Sequence, residues 1–460
     1  MRSTGKVLLF VLCIVMLAAG PTSAGDDQGF FLIITDIHFD PFADPSIVTR
    51  LEAAPLDQWR AIFESSHRKA FAKYGSDANY PLMTSAIEAA RLDGIKYDFI
   101  LYPGDYLSHD FTSDYRRYVG GEEGLAWFVE RTMGFVANQL HEAFPDTPII
   151  GALGNNDSLC GDYMIAPESP LLAALAPEWA ELADAPLSFG DFPVGGFYAM
   201  AHPTVPDHEF IVLNDIFWSI KYTDACNPDG GDPGAAQLAW LQWTLYRIQQ
   251  QGHTASLMLH VPPGINAYSS SKGDGECASR VTRFWTKEYS DAFLKLVREY
   301  SAILENSYTG HTHMDDFRVI SDDAGVPFLP TLITPAVSPI FGNNPAFSIV
   351  TYDRSSGELL DYTVYHLTNL EKAGSGEKPV WQVEYGFSKA YGFKSISPET
   401  LAELSGMIQT DANVRKLFMD YYAAETSAQS PITDDNWTAY QCAQTNITVE
   451  NFIHCHCGMQ

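Results

Sequence analysis

Short apolar runs recur along the chain, and a polar loop follows each of them. The runs occupy residues 30–34, 97–102, 148–153, 210–213, 255–259 and 302–304. Runs of this length that are bounded by Gly, Pro or other turn residues predict buried β-strands.

Helical patterns lie between some of these runs. Residues 237–251 carry apolar side chains at helical spacing and end at Gly252, which predicts a helix with a glycine C-cap. Residues 84–91 predict the start of a second helix, with Ser85 as its cap before an Ala-rich face. A repeated order of strand, loop and helix predicts an α/β fold with functional groups at the strand ends.

The composition and hydrophobic pattern of the chain change after about residue 370. Residues 372–378 are polar, residues 398–408 and 412–424 have helical patterns, and a Cys-containing tail follows. We therefore expect a catalytic domain over residues 25–370 and a small helical C-terminal subdomain over residues 371–460.

The first 24 residues have the features of a cleaved secretory signal peptide. Arg2 and Lys6 precede an apolar run over residues 7–17, and small residues lead to Ala24. The alternative is a membrane anchor, but the run is shorter than the ~20 residues that span a bilayer. We expect a protein without a transmembrane anchor that is secreted or extracytoplasmic, in a periplasm, an extracellular space or a lysosome-like lumen.

Six cysteines follow the signal segment, and an even number in an exported chain predicts disulfides. The expected pairs are Cys226 with Cys277 and Cys442 with Cys455. Metal binding by the tail residues 454–457 (His-Cys-His-Cys) is the alternative. Asn436 and Asn446 begin glycosylation sequons, which are used if the host is a eukaryote.

The composition and net charge argue against several classes of protein. Of 460 residues, 46% are hydrophobic and 18% are charged, which provides for a large core and excludes a disordered chain. With 28 Lys and Arg against 57 Asp and Glu, the net charge of −29 argues against binding nucleic acid or an anionic membrane. Phosphate chemistry in such a chain needs a local source of positive charge.

Polar clusters that follow the apolar runs are the candidate chemistry. They contain Asp36, His38, Asp105, Asn155, His260, His311 and His313. Two residues that are two apart in extended chain share a side, so each Asp-x-His or His-x-His pair converges. Singly, each cluster has a structural explanation: a hydrogen-bonded pair, a buried histidine or a turn. Together, these nitrogen and oxygen donors suit two metal ions that share a bridging carboxylate.

The order Asp-x-His, Gly-Asp, Gly-Asn, His, Gly-His-x-His resembles that of the calcineurin-like metallophosphoesterases. Longer matches resemble one branch, the acid sphingomyelinase-like phosphodiesterases. These matches are residues 36–41 (DIHFDP), 104–110 (GDYLSHD), 237–241 (QLAWL), 260–264 (HVPPG) and 343–347 (NNPAF). The resemblance runs from about residue 30 to the Cys-bearing tail.

The resemblance implies a four-layer α/β/β/α sandwich of the metallophosphoesterase type, here with the small helical C-terminal subdomain. It assigns Asp36, His38 and His313 to a first divalent ion and Asn155, His260 and His311 to a second, and Asp105 bridges the two. Zinc is the usual metal of this branch, and the sequence also allows Mn or Fe.

The implied enzyme is a secreted di-metal phosphodiesterase, a sphingomyelinase-like phosphoric diester hydrolase. Two cations lower the pKa of a bridging water, and the resulting hydroxide attacks a phosphodiester or phosphoanhydride bond. His109, four residues beyond Asp105, matches a histidine of the family and is assigned as general acid. Its alternative role is to orient a neighbouring residue.

Position 156 departs from the family pattern Gly-Asn-His. Asn156 can donate a hydrogen bond to phosphate, but it cannot deliver a proton. An Asn at this place also occurs in endopolyphosphatase-like relatives. An endopolyphosphatase or nucleotide phosphohydrolase on the same scaffold is therefore the alternative, and an inactive metal-containing binding protein is the second alternative.

The substrate is expected to be a small-molecule or lipid phosphodiester. The first metal motif begins at Asp36, which leaves no room before it for the lipid-presenting, saposin-like module of lysosomal sphingomyelinase. Soluble diesters and nucleotides are therefore at least as strongly indicated as a membrane lipid. Trp218, Tyr222 and Phe341 either line a pocket for a base or acyl group or belong to the core.

Overall fold

The computed structural model describes residues 27–185, 189–227 and 230–458, so the signal-peptide prediction lies outside the described residues. The described chain contains two six-stranded β-sheets. The strands are β1 (Gln28–Ile33), β2 (Phe99–Tyr102), β3 (Ile149–Gly151), β4 (Tyr198–Ala201), β5 (His208–Val212), β6 (Thr254–Met258), β7 (Leu304–Thr309), β8 (Asp316–Ser321), β9 (Pro327–Ile333), β10 (Ala346–Asp353), β11 (Leu359–Leu367) and β12 (Trp381–Gly386).

Each sheet has a parallel part that carries the predicted motifs. Sheet I has the order β12-β11-β10-β1-β2-β3, in which β1, β2 and β3 are parallel. Sheet II has the order β4-β5-β6-β7-β9-β8, in which β5, β6, β7 and β9 are parallel. The carboxyl ends of parallel strands share one edge of their sheet, so the loops after them are neighbours.

The two sheets pack face to face through aromatic side chains. The ring centroids of Phe31 and Tyr308 lie 5.6 Å apart, and those of Phe99 and Phe210 lie 5.4 Å apart. Each pair joins a strand of sheet I to a strand of sheet II, and all four side chains are buried.

Helices cover the outer faces of both sheets. They are α1 (Val48–Ala53), α2 (Trp59–Ser65), α3 (Tyr80–Ala90), α4 (Phe111–Tyr118), α5 (Leu125–Ala143), α6 (Pro170–Leu182), α7 (Phe192–Gly195), α8 (Pro233–Gln251), α9 (Ala267–Ser270), α10 (Lys287–Glu299), α11 (Leu370–Ala373), α12 (Phe387–Tyr391), α13 (Pro398–Thr410), α14 (Ala412–Tyr421), α15 (Trp437–Thr445) and α16 (Val449–Cys457). Helix α3 contacts β10 in sheet I, whereas α8 contacts β6 in sheet II. The expected α/β/β/α layering is confirmed.

Five of the six predicted strands are confirmed, and the sixth is wrong. Residues Ser301–Ile303 form a 3₁₀ turn, and strand β7 begins only at Leu304. The apolar pattern did not reveal β7 over its true range because buried polar residues such as Asn306 and Thr309 interrupt the strand.

The helix predictions are right in place but not in every boundary. Helix α8 ends at Gln251, and Gly252, with a φ of 74°, is the left-handed C-cap that the sequence predicts. Helix α3 begins at Tyr80, so Ser85 is not its cap. Instead, the side chain of Asn79 accepts a hydrogen bond from the N–H of Leu82.

The C-terminal residues contain the expected helices α13 and α14, and they also complete a sheet. Strand β12 pairs with β11 as the outer strand of sheet I, within the segment expected to be helical. No helix in the described part of the chain has the length and apolar character that crossing a membrane requires.

Three disulfides join Cys160 to Cys226, Cys277 to Cys457 and Cys442 to Cys455. The expected pair Cys442–Cys455 is confirmed, whereas the pair Cys226–Cys277 is wrong. Cys226 lies beside the loop after β3, and Cys277 lies in a 3₁₀ turn against α16. Because Cys455 and Cys457 are both disulfide-bonded, the alternative of metal binding by the tail thiolates is also wrong.

Candidate metal centre

The structure brings the seven predicted ligands together at the carboxyl ends of the parallel strands. Oδ2 of Asp105 lies 3.3 Å from Nε2 of His38 and 3.1 Å from Nε2 of His260. His38 is also 3.1 Å from Nε2 of His313, and His260 is 3.1 Å from Oδ1 of Asn155. The side chains thus form one continuous cluster around Asp105.

Two subsets of this cluster each have the geometry to hold an ion. The ligand atoms of Asp36, His38 and His313 lie within 4.8 Å of one another, as do those of Asp105, His260 and His311. Within the second subset, Nδ1 of His311 lies 3.2 Å from Nε2 of His260. The carboxylate of Asp105 contacts both subsets, which is the position that a bridging ligand needs.

Backbone strain accompanies the cluster. Five of its members adopt the left-handed region, with φ of 47° at Asp36, 44° at His38, 59° at Asp105, 67° at His311 and 63° at His313. Residues other than glycine rarely adopt these values, and each costs about 1 kcal/mol or more. The surrounding fold must therefore hold these loops in place.

Glycines in two motifs permit the close approach of the loops. A Cβ at Gly154 would overlap the backbone and carboxylate of Asp105, and a Cβ at Gly310 would overlap the carboxylate of Asp36. The Gly in Gly-Asn and Gly-His is therefore required by packing between neighbouring loops.

Hydrogen bonds behind the cluster fix which atom of each ligand faces inward. Nδ1 of His38 lies 2.8 Å from the carbonyl of Leu107, and Nδ1 of His260 lies 3.0 Å from that of Pro103. Because a carbonyl only accepts, each Nδ1 carries the proton, and in the neutral ring Nε2 then has a lone pair. The amide nitrogen of Asn155 donates to the carboxylate of Asp162, so its oxygen faces His260.

This arrangement fits divalent cations. In their metal-binding forms, the Nε2 atoms, the carboxylate and the amide oxygen are all electron-pair donors, and they face one another at hydrogen-bonding distance. Such contacts are repulsive unless a positive charge lies between them. The donor set therefore suits two metal ions, each with nitrogen and oxygen ligands.

The pKa values of the cluster histidines also indicate that the site favours positive charge. Burial lowers the pKa of His38, but the charge of Asp105 outweighs it and raises the pKa to about 10. The same two effects raise the pKa of His260 to about 10. Burial holds the pKa of His311 and of His313 well below the ordinary value, so these rings stay neutral.

Two buried carboxylates that sequence reasoning missed hold the cluster's loops. Asp157 accepts hydrogen bonds from the backbone N–H groups of Asp105, Tyr106, Leu107 and Gly154. Asp215 accepts from the N–H groups of His260 and Val261 and from the ring of Trp285. Both follow strands, but acceptors of backbone bonds have no motif of their own in a sequence.

His109 lies against the first subset. Its ring stacks on that of His38 with centroids 4.3 Å apart, and its Nδ1 lies 3.1 Å from the carboxylate of Asp77. The side chain is 27% exposed, so the other ring nitrogen can meet a ligand from solvent. Phe341, which is 53% exposed, packs edge-on against His109 and His313.

Asn156 faces the cluster rather than the solvent. Its side-chain amide donates to Oδ2 of Asp105 at 3.2 Å, and its backbone N–H donates to Oδ1 at 2.8 Å. The residue is buried. Of the aromatic residues singled out in the sequence, Trp218 is core, whereas Phe341 borders the cluster.

Comparison with known proteins finds sequence similarity to phosphodiesterases. A family model described as acid sphingomyelin phosphodiesterase C-terminal region matches residues 327–458. Human acid sphingomyelinase-like phosphodiesterase 3b is 28% identical, with 93% of this chain and 90% of that protein aligned.

Two further proteins extend the comparison. The bovine cyclic GMP-AMP phosphodiesterase SMPDL3A is 27% identical over 95% of this chain and 93% of its own. Among solved structures, a dimetal phosphatase from Danio rerio aligns at 12% identity and a TM-score of 0.38, over 73% of this chain and 95% of its own.

Proposed function

We propose that this chain, which is related over nearly its whole length to the acid sphingomyelinase-like phosphodiesterases, is a metal-dependent phosphoric diester hydrolase with two zinc ions. The single observation that carries the proposal is the position of Asp105. One of its carboxylate oxygens contacts a histidine of each ligand subset. A carboxylate shared in this way suits a pair of ions better than a single one.

We assign the ligands as follows. Asp36, His38 and His313 hold the first ion, and Asn155, His260 and His311 hold the second. Asp105 binds both. Bound cations would supply a water of lowered pKa for attack at phosphorus and would neutralise the phosphoryl oxygens. Zinc is proposed because four of the seven side chains are imidazoles.

His109 is the proposed proton donor. Asp77 accepts from Nδ1, which leaves Nε2 to deliver a proton to the leaving alkoxide. Asn156 is proposed to act through Asp105, because both of its N–H groups donate to that carboxylate. In this role Asn156 fixes the orientation of the shared ligand and takes no part in proton transfer.

The proposed substrate is a small soluble phosphodiester. One relative is named a cyclic GMP-AMP phosphodiesterase, and another is named an acid sphingomyelinase-like phosphodiesterase. The net charge of −29 disfavours encounter with an anionic membrane or a long polyanion. Exposed Phe341 offers an apolar wall beside His109, where a leaving group with an aromatic or acyl part would lie.

The proposed location is outside the cytoplasm, and the proposed domain division is the one expected from the sequence. Three disulfides fit an oxidising compartment. We propose cleavage after Ala24, a catalytic domain to about residue 370 and a C-terminal subdomain that supports it.

A substrate panel on metal-analysed protein tests the function. The panel contains bis-p-nitrophenyl phosphate, p-nitrophenyl phosphate, sphingomyelin, ATP, a cyclic dinucleotide and polyphosphate. We expect diester hydrolysis that EDTA abolishes and zinc restores, with about two ions bound for each chain. Full metal occupancy without hydrolysis of any diester would instead support a metal-containing binding protein.

A further inference from the structure

Lys221 lies beside the second ligand subset, on the loop that follows β5. Its Nζ is 4.9 Å from the centroid of the Tyr163 ring. The hydroxyl of Tyr163 is in turn 3.3 Å from Nε2 of His311. One aromatic ring thus separates the ammonium group from the metal centre.

The two loops that carry Lys221 and Tyr163 are fixed to each other. The disulfide Cys160–Cys226 joins them covalently, and the N–H of Thr223 donates to the carbonyl of Tyr163 at 3.2 Å. The backbone N–H of Lys221 donates to the hydroxyl of Ser219. A cation on a pre-organised loop binds an anion with little loss of backbone entropy.

The ammonium group is exposed, and no carboxylate of the described residues forms an ion pair with it. Asp162 lies in the same region, but it accepts the amide hydrogen of Asn155. In a chain of net charge −29, a cation at the rim of a phosphate-binding site is therefore available to a ligand.

Lys221 and His109 lie beside different ligand subsets. His109 stacks on His38 in the first subset, whereas Lys221 is linked to His311 of the second through the ring of Tyr163. The leaving group needs the proton of His109, so it lies beside the first subset. The part of the substrate that keeps the phosphorus extends toward Lys221.

We propose that Lys221 binds a second phosphate on the retained part of the substrate. This inference rests on the proposed function and narrows its substrate class to phosphodiesters with an additional phosphate, of which nucleotides and dinucleotides are examples. A zwitterionic headgroup with one phosphate would gain nothing from this contact.

A matched pair of probes tests the proposal. Thymidine 5′-(p-nitrophenyl phosphate) and its 3′-phosphorylated form share the scissile bond and the leaving group. We expect the wild type to show a KM about 10-fold lower for the 3′-phosphorylated probe, equivalent to ~1.4 kcal/mol. Lys221→Met should abolish this ratio, and Lys221→Arg should retain most of it.

Lys272→Met is the control, because Lys272 also lies over a tyrosine ring, that of Tyr268, but on an exposed loop. It should keep the wild-type ratio. A wild type that treats both probes alike, or a ratio that survives Lys221→Met, would overturn the second-phosphate site. If metal-loaded wild type hydrolyses neither probe, the proposed function itself is contradicted.

Discussion

The carboxylate of Asp77 receives two hydrogen bonds from His109, one from its backbone N–H at 2.7 Å and one from its ring Nδ1 at 3.1 Å. Asp77 is itself fixed by the hydroxyl of Ser338, which donates to it at 3.0 Å. The ring of His109 is therefore oriented from one side by Asp77 and from its face by His38. This arrangement selects Nε2 as the atom that meets a substrate.

Replacing Asp77 with Asn should impair proton delivery more than metal binding. We expect kcat to fall about 100-fold on esters with alkyl leaving groups, because general acid catalysis contributes at least this much. Esters of p-nitrophenol need no proton and should lose less than about 3-fold. Steady-state kinetics on both ester types, with metal content measured in parallel, check the expectation.

Asp114→Asn is the matched control, since Asp114 lies near Asp77 but does not contact His109. It should leave both rates close to wild type. The same variant series can include His109→Ala, which should reproduce the selectivity of Asp77→Asn. Equal losses on both ester types would remove His109 and Asp77 from proton delivery.

Asp157 should be required for the metal centre although it is no ligand in our assignment. Its carboxylate accepts four backbone N–H groups from the loops that carry Asp105 and Asn155. Asp157→Ala leaves these buried donors without partners, at about 1–3 kcal/mol each before relaxation. We expect a folded yield well below wild type and loss of bound metal, measured by thermal melting and elemental analysis.

Asp157→Asn keeps the size and shape of the side chain but removes its negative charge. It keeps one acceptor oxygen, so we expect a folded protein with weakened metal binding. Wild-type metal content in both variants would show that the loops are held by other contacts.

The metal-site motifs were predictable from the sequence because strand ends leave a strong signal. An apolar run followed by Asp-x-His or His-x-His places the ligands at one edge of a sheet whatever the details of the loops. Asp77 and Asp157 were missed because their partners are backbone groups or a residue far along the chain. Nothing in a local pattern marks a carboxylate that acts at such a distance.

The remaining errors have the same origin. Strand β7 was misplaced because contacts within the folded sheet compensate the burial of its polar residues. The pairing of Cys226 depends on which loops lie close together in the fold. Helix α8 was predictable because its apolar stripe and its Gly252 cap are both local. Local signals thus give elements and ligands, while long-range hydrogen bonds and disulfides require the fold.

The disulfide map gives a prediction that needs no substrate. Non-reducing digestion and mass spectrometry should yield linked peptides for Cys160–Cys226, Cys277–Cys457 and Cys442–Cys455. Replacing both Cys277 and Cys457 with Ser should lower the free energy of unfolding by about 2–4 kcal/mol, because this bond closes the longest loop. A linked Cys226–Cys277 peptide would contradict the structure.

Asn344, in the loop between β9 and β10, should be required to hold the turn at Ala424 and Glu425 in place. Its side-chain amide donates to the carbonyls of Ala424 and Glu425, and its oxygen accepts from the hydroxyl of Tyr74. Ala424 and Glu425 have φ of 55° and 48°, so this turn needs support. We expect Asn344→Ala to lower the free energy of unfolding by about 2–4 kcal/mol.

Hydrogen exchange locates the effect of that variant. Faster exchange should appear in residues 336–345 and 423–427 before the rest of the chain. Asn369→Ala is the control, because Asn369 makes similar backbone hydrogen bonds in an exposed loop. It should cost less than about 1 kcal/mol, since water replaces the lost partners.

His202 should make the fold sensitive to acid. Its ring packs against Phe99 and Phe210, and its Nδ1 accepts from the N–H groups of Thr204 and Val205. Burial, followed by the charge of His208, lowers the pKa of His202 to about 3. A proton on Nδ1 would face two donors, which agrees with that direction.

Proton binding by the folded and unfolded states decides whether stability rises or falls with pH. Because the pKa is about 6.5 in the unfolded chain and lower in the fold, the unfolded state binds the proton first as the pH falls. The contribution of the neutral ring is complete above pH ~6.5 and decreases as the pH falls toward the folded-state pKa. Wild type should therefore lose about 2 kcal/mol of this contribution between pH 7 and pH 4.5.

His202→Asn isolates this effect, because the amide oxygen can accept the same backbone hydrogen bonds but does not titrate. Carboxylates with raised pKa, such as Asp315, act in the opposite direction, but they are present in both proteins and cancel in the difference. Denaturant unfolding from pH 8 to pH 4.5 should show wild type losing about 2 kcal/mol more stability than the variant. Parallel curves would mean that His202 keeps an ordinary pKa in the fold.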